Sequence, residues 1–449
     1  MKFSKMKKQL QSAQPAPSTR RKFLHVATAP VSSLLLAACG GGSSAADASV
    51  SPVTSQGAQP AVANVSAVAP VAPVIPVTPV TAAIQPEIVP TTSNTLPAWV
   101  AALPLWQWYE IPNTALSSVD PAVQPSGSTG PRSKIDAWCG ACLKRRGSVY
   151  MLGAAGGHSD YAGNEVSALE LNIASPRWTQ LRGPSANTDI INGMQFYLDR
   201  RPSSTHTYYA TQFIESLNRM VIFSSPGVSG PFATAPADFP YGGDKRSYSF
   251  NVAAGDWDGP DYVAKFPGDG DFTAALCVKH PLTNDVYYSK SYGSGWYRWT
   301  SASNIWTRLS SASRAPWYAG AAIDTLRNRM LLVGGYGSAR PEVRNLDGAG
   351  IAAAFTGLGV AALTLGGYPA VIYDEATDRY LVAFNSDNFI KILRVHPETW
   401  FVDEPPMTGT APAARMNGLQ NSMQFVPELR GLVLANKHSG NVFFARTAA

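Results

Sequence analysis

Between Ser148 and Leu181 the chain runs SVYMLGAAGG, the loop HSDYAG, NEVSALEL, and then a hairpin into RWTQL. Short apolar runs rich in branched and aromatic residues, each bounded by glycine, proline, asparagine or aspartate, predict β-strands joined by tight connections. Weaker copies of this unit recur to the end of the chain. A sheet this small cannot bury its own apolar faces, so the copies must stack on one another. The fold is therefore a series of small antiparallel sheets.

The copies can be followed strand by strand. A first innermost strand is predicted over Ile135–Leu143, ahead of the unit just quoted. The second copy begins at Thr207 with TYYATQFI and ends at Trp257, and the third begins at Thr273 with TAALCVKH. The fourth has WYAGAAID and RMLLVGGYG, after which the glycine- and alanine-rich stretch Asp347–Gly367 blurs its outer strands. YPAVIYDE opens a clear fifth copy, and the sixth, from NSMQFVPE to NVFFAR, stops one strand short. An open ring would leave an unpaired edge. LWQWYEI, Leu105–Ile111, has the alternating aromatic pattern of an outer strand and is predicted to fill that place. The expected fold is all-β, a β-propeller of six blades closed by an N-terminal strand, with a seventh blade only if Asp347–Gly367 hides one.

The double glycines Gly156-Gly157 and Gly334-Gly335 end a second strand, and Trp178, Trp257, Trp306 and Trp400 mark a fourth. Together these resemble the kelch repeat, over roughly Leu105–Arg446, although Ala168 or Leu169 stands where kelch repeats usually have a tyrosine. The resemblance implies a kelch-type, galactose-oxidase-like propeller. Blade packing alone accounts for both residue types, since glycine admits tight bends and tryptophan fills the gap between blades.

The N-terminus addresses location. Ser18-Thr19-Arg20-Arg21-Lys22-Phe23-Leu24 resembles a twin-arginine export signal, and Leu36-Ala37-Ala38-Cys39-Gly40 resembles a lipobox. The apolar run between them is interrupted by Pro30 and is too short to span a bilayer comfortably. The resemblance implies a signal peptide over residues 1–38, cleavage, lipidation of Cys39, and a lipoprotein facing the periplasm or on the outer membrane. Residues 39–97 hold no aromatic, lysine or arginine and are dominated by alanine, proline, valine and threonine, as in APVAPVIPVTPVTAA. Such a segment cannot bury a core and reads as a disordered, extended tether to the domain over residues 98–449.

Removing the signal changes the charge argument. The first 38 residues carry seven of the 36 lysines and arginines and none of the 30 acidic residues, which leaves 29 basic against 30 acidic. The formal charge of +6 thus belongs to the leader, and a nucleic-acid partner loses its support. Of the four cysteines, Cys39 is the lipidation candidate; Cys139, Cys142 and Cys277 fall in predicted strands and read as buried thiols. Residues 139 and 142 of one extended strand would hold their Cα atoms roughly 10 Å apart, beyond disulfide reach.

Strand direction sorts the candidate chemistry. In a four-stranded blade, the loops between second and third strands and the connections between blades share one face, and the other hairpins emerge opposite. His280 and His396 precede prolines in hairpins of the second face and read as turn structure. His158, His206 and His438 fall on the first face with the two longest loops, 182–204 and 225–245. Long loops on one face of a rigid scaffold are where binding sites are built.

Two classes of function fit. Tyrosine and tryptophan faces stack on sugars while arginine and asparagine fork onto hydroxyls and carboxylates, which points to a glycan-binding propeller. Several polysaccharide lyase families are propellers with sites of tyrosine, histidine and arginine, and this set is similar in residue type. On that reading Arg246 would neutralise a uronate, His158 or His206 would act as base, and Tyr161 or Tyr208 as acid. Asn164, Glu165, Tyr292, Trp296, Arg415, Asn417 and His438 would bind the ligand. The alternative is a non-catalytic, monomeric module whose partner is a glycan or an envelope protein. No cofactor is predicted, with a metal at the histidine face left open. A copper radical oxidase is disfavoured, since the adjacent Tyr-His ligand pair of that family is absent.

Overall fold

The computed structural model describes residues 96–157, 160–191, 194–223, 246–267, 275–289, 295–335, 340–364 and 367–449. The twin-arginine run, Cys39, the tether up to residue 95, His158 and Tyr292 lie outside the described residues.

After a single turn of helix, α1 (Ala98–Ala101), comes β1 (Trp108–Glu110). A second turn, α2 (Ser133–Asp136), leads into blade one, made of β2 (Cys142–Lys144), β3 (Val149–Gly153), β4 (Val166–Glu170) and β5 (Trp178–Arg182). Blade two holds β6 (Thr211–Ile214), β7 (Arg219–Ile222), β8 (Tyr248–Asn251) and β9 (Asp256–Trp257). Blade three holds β10 (Leu276–Lys279), β11 (Val286–Ser289), β12 (Trp296–Thr300) and β13 (Ile305–Ser310). Blade four comprises β14 (Gly320–Asp324), β15 (Arg329–Val333), β16 (Glu342–Asn345) and β17 (Gly350–Ile351), followed by the helical turn α3 (Val360–Leu363). Blade five comprises β18 (Ala370–Asp374), β19 (Arg379–Ser386), β20 (Phe389–Val395) and β21 (Val402–Asp403), and blade six β22 (Met423–Val426), β23 (Gly431–Leu434) and β24 (Phe443–Arg446). Each sheet is antiparallel and in sequence order, except that β1 pairs with β24 as the fourth strand of blade six. The molecule is a six-bladed β-propeller.

The sequence explains the layering. Second strands such as β3 and β15 are buried along nearly their whole length, because neighbouring blades cover both faces, and so they read as unbroken apolar runs. The hairpins between first and second strands each turn on one non-glycine residue with left-handed backbone: Ser148, Asn218, Asn284, Asn328, Asp378 and Arg430. Asparagine and aspartate tolerate that conformation best, and four of the six positions use them. Within these hairpins Asp324 and Asp374 accept hydrogen bonds from backbone amides two and three residues on, and Nδ1 of His280 accepts from Leu282 and Thr283 in the same way. His396 does likewise for Glu398 and Thr399. Both histidines are turn structure on the second face.

Ring closure follows the predicted pairing, with Trp108 opposite Ala445, Tyr109 opposite Phe444 and Glu110 opposite Phe443. Trp106 and Trp108 are buried against Leu432, Leu434 and Ala445, while Ile111 and Tyr109 join Phe444 and Val433 on the other side of the sheet. Among the described residues of Asp347–Gly367 there is no seventh blade: this stretch supplies β17 and α3, and Leu363 and Phe355 pack on Trp400 and Val402 of blade five.

One strand boundary differs from expectation. Ile135 lies in α2, and the innermost strand spans Cys142–Lys144 rather than Ile135–Leu143. Between them Trp138 takes left-handed backbone, and a Cβ at Gly140 would collide with the Asn421 side chain and the Tyr208 carbonyl. The chain therefore bends here instead of running straight. Cys139, Cys142 and Cys277 are free and buried, and burial pushes the Cys139 thiol up to about 12.

Candidate functional site at the axis

The connections between blades return to the axis at one end of the ring, and the residues just ahead of each innermost strand crowd together there. Trp138, ahead of β2, faces the His206 ring at 5.1 Å between centroids. His206 meets Tyr208, ahead of β6, edge to face at 5.9 Å, and Tyr208 meets Tyr318, ahead of β14, at 5.7 Å. Tyr318 stacks with Trp317 and tilts against Tyr368, ahead of β18, both at 4.7 Å. Six rings from four different connections thus form one continuous row. Trp138, Trp317 and Tyr368 are half-buried, while His206, Tyr208 and Tyr318 are buried.

The backbone under this row is strained. Trp138, Tyr208 and Tyr318 have φ of 51°, 44° and 65°. Left-handed backbone costs a bulky residue on the order of 1–2 kcal/mol, so packing must hold each of the three rings where it is. Gly157 plays a part in this: a Cβ there would lie 2.6 Å from the His206 amide nitrogen, so the double glycine at the end of β3 lets the His206 segment approach. His206 Nε2 lies 3.1 Å from Asp160 Oδ2, and the carboxylate is the more exposed partner, at 28% against 5%. That contact fixes the imidazole orientation beside the rings.

Several polar residues expected to bind ligand are interior. Lys134 Nζ sits 3.0 Å from Asp120 and 3.1 Å from Glu165; Glu165 accepts the Tyr161 hydroxyl at 2.8 Å, and Asp120 lies 2.9 Å from His438 Nε2. Lys134, Glu165 and Tyr161 are almost fully buried, and charges taken out of water have to be paired in this way. Burial first, then Glu165, pushes the Tyr161 phenol far above its ordinary range. Asn164 is inaccessible, bridging Ser185 and the Pro202 carbonyl. Trp296 is also inaccessible, and its indole donates to the Leu346 carbonyl.

Arg415 is a buried clamp. Its guanidinium donates to the carbonyls of Ile135 and Cys139 at 2.5 Å and of Leu419 at 2.9 Å, and Asn417 donates to the Asp136 carbonyl at 2.6 Å. Together they stitch the connection between blades five and six to the bend ahead of β2. Arg246 donates to the Asp261 carboxylate and the Pro260 carbonyl.

Of the predicted set, His206 and Tyr208 therefore join the aromatic row; Tyr161, Asn164, Glu165, Trp296 and Arg415 serve the interior, and His438 is held by the buried ionic chain. His158 and Tyr292 lie outside the described residues. Trp138, Trp317, Tyr318 and Tyr368 went unmarked in the sequence, although WCGAC, WYAGAA and GGYPAV share a legible signal, an aromatic just ahead of a first strand. Among the described residues no group of three or more His, Cys, Asp or Glu is placed to hold a metal ion. The chain matches no protein-family model and no curated protein sequence, so the site is read from its own geometry.

Proposed function

We propose that the protein is an exported, lipid-anchored propeller that binds a glycan at the axial aromatic row. The observation that carries this reading is the row itself: half-buried Trp138, Trp317 and Tyr368 alongside strained, buried rings, with the His206–Asp160 pair beside them. Aromatic faces stack on the C–H faces of sugar rings, and a half-buried carboxylate next to an imidazole supplies acceptors and donors for hydroxyls. Recognition is favoured over elimination. Neutralising a uronate calls for a cation without a carboxylate of its own, and Arg246 already donates to Asp261 while Lys134 is held by Asp120 and Glu165.

Titration of the protein with neutral and uronate-containing oligosaccharides tests this. Trp138→Ala and His206→Gln are expected to weaken binding by roughly tenfold or more, as the loss of about 1.4 kcal/mol implies, with folding retained by circular dichroism. His280→Ala and His396→Ala, in the opposite hairpins, are expected to leave affinity unchanged. Ligand loss confined to the latter pair would show that the other face binds. An unsaturated-product absorbance with a uronate polymer would instead restore the lyase reading.

Anchoring rests on the lipobox resemblance at Cys39. Cys39→Ser is expected to shift the protein from the membrane to the soluble fraction while it stays folded. Retention on membranes after a high-salt wash would show that another surface holds it.

A further inference from the structure

The six innermost strands enclose an axial cavity of about 150 Å³. Towards the aromatic row it is closed by Tyr209, whose hydroxyl lies within hydrogen-bonding distance of the Tyr318 and Pro369 carbonyls, and by the amides of Gln212, Asn421 and Gln424, which donate to strand carbonyls. At the other end it is rimmed by Arg145, Glu375 and Pro281. This is the end carrying the hairpins of His280 and Asp324, away from the site proposed above.

Lys279, the last residue of β10, lines this cavity. It is half-buried, enclosed by the ring yet reachable through the mouth, and its side-chain amine has no hydrogen-bond or ion-pair partner among the described residues. Of the charges nearby, Glu215 attracts the Lys279 amine and accepts the Arg145 backbone amide at 2.6 Å, and the Arg145 guanidinium pairs with Glu375 at 3.3 Å. An amine without a hydrogen-bonding partner in a largely apolar cavity marks a place where a ligand could complete the site.

We propose that the axial cavity is a second binding site, in which the Lys279 amine captures a small aldehyde or ketone as an imine. The Nζ lone pair forms a bond to the carbonyl carbon, and the resulting carbinolamine expels its hydroxyl with an amine proton as water, leaving C=N; no oxidant or reductant is consumed. The size of the cavity limits the compound to a few carbon atoms.

The charges around Lys279 fit this chemistry. Burial pulls its amine down to about 8 against the opposing attraction of Glu215, with Arg145 adding to the depression and Cys142 working against it. The two thiols that share the cavity, Cys142 and Cys277, are pushed far up by burial, so the amine is the group that loses its proton first. Tyr373 and Glu375 complete the titratable lining.

The test treats the full-length protein with glycolaldehyde and cyanoborohydride, which reduces the imine to a stable secondary amine, and maps the product by peptide mass spectrometry. Lys279 is expected to be modified roughly tenfold or more faster at pH 7 than the exposed Lys391 and Lys437, because an amine near 8 holds far more of its neutral form there than an ordinary lysine near 10.4. Its rate should rise with pH to a plateau above about 8. Lys279→Arg keeps the charge, removes the nucleophile, and should abolish the adduct without altering glycan binding. Modification of Lys279 no faster than that of the two exposed lysines, or with a pH profile like theirs, would overturn the proposal.

Discussion

Deleting residues 98–112 is expected to abolish cooperative unfolding of the domain. That segment contains β1 and the buried side chains of Trp106, Trp108 and Ile111. Truncating a single buried tryptophan to alanine costs about 3–5 kcal/mol, and a domain has only about 5–15 kcal/mol to lose. The deletion also bares the edges of β24 and of the ring. Trp108→Ala alone should lower the denaturation free energy by about 3–5 kcal/mol. Deleting residues 40–95, whose composition cannot form a core, should leave the urea midpoint unchanged. Equal midpoints for the two deletions would refute the closure argument.

Lys134→Met is the second large effect. It leaves the buried carboxylate of Glu165 without its cation, and it removes one partner of Asp120. Breaking a buried pair by removing one partner costs about 3–5 kcal/mol, whereas removing both charges is far less damaging. The double variant Lys134→Met with Glu165→Gln should therefore be more stable than Lys134→Met alone, which a chemical denaturation series reads directly. A loss below about 1 kcal/mol in the single variant would mean that water reaches Glu165.

The repeats were legible because propeller strands are covered on both faces, so β3, β15, β19 and β23 appear as uninterrupted apolar runs. The outer half of blade four was not, because β17 is only two residues long, Gly350–Ile351, and lies in a glycine- and alanine-rich stretch without an apolar pattern. Ring closure could be read from a missing strand at one end and a spare aromatic one at the other. Burial of loop residues could not. Glu165 and Arg415 look like solvated site residues in sequence, and only the fold shows that Lys134 and the carbonyls of Ile135, Cys139 and Leu419 wait for them. The aromatic row was hidden for a related reason: each ring sits in a different connection, and no local spacing joins Trp138 to Tyr318 or Tyr368.

The pairing of β1 with β24 also sets an order on biosynthesis. The contact between Asn441 and Glu110 spans 331 residues, so β1 leaves the ribosome long before the strand that shelters it has been made. Over that interval the edge of β1 that faces β24 has no strand to pair with, and five blades can assemble around a gap that only the final residues of blade six fill. A nascent chain interrupted anywhere before β24 would carry β1 as an unpaired edge strand. The same exposed strand that makes an unfinished chain prone to aggregation would also mark it for quality control.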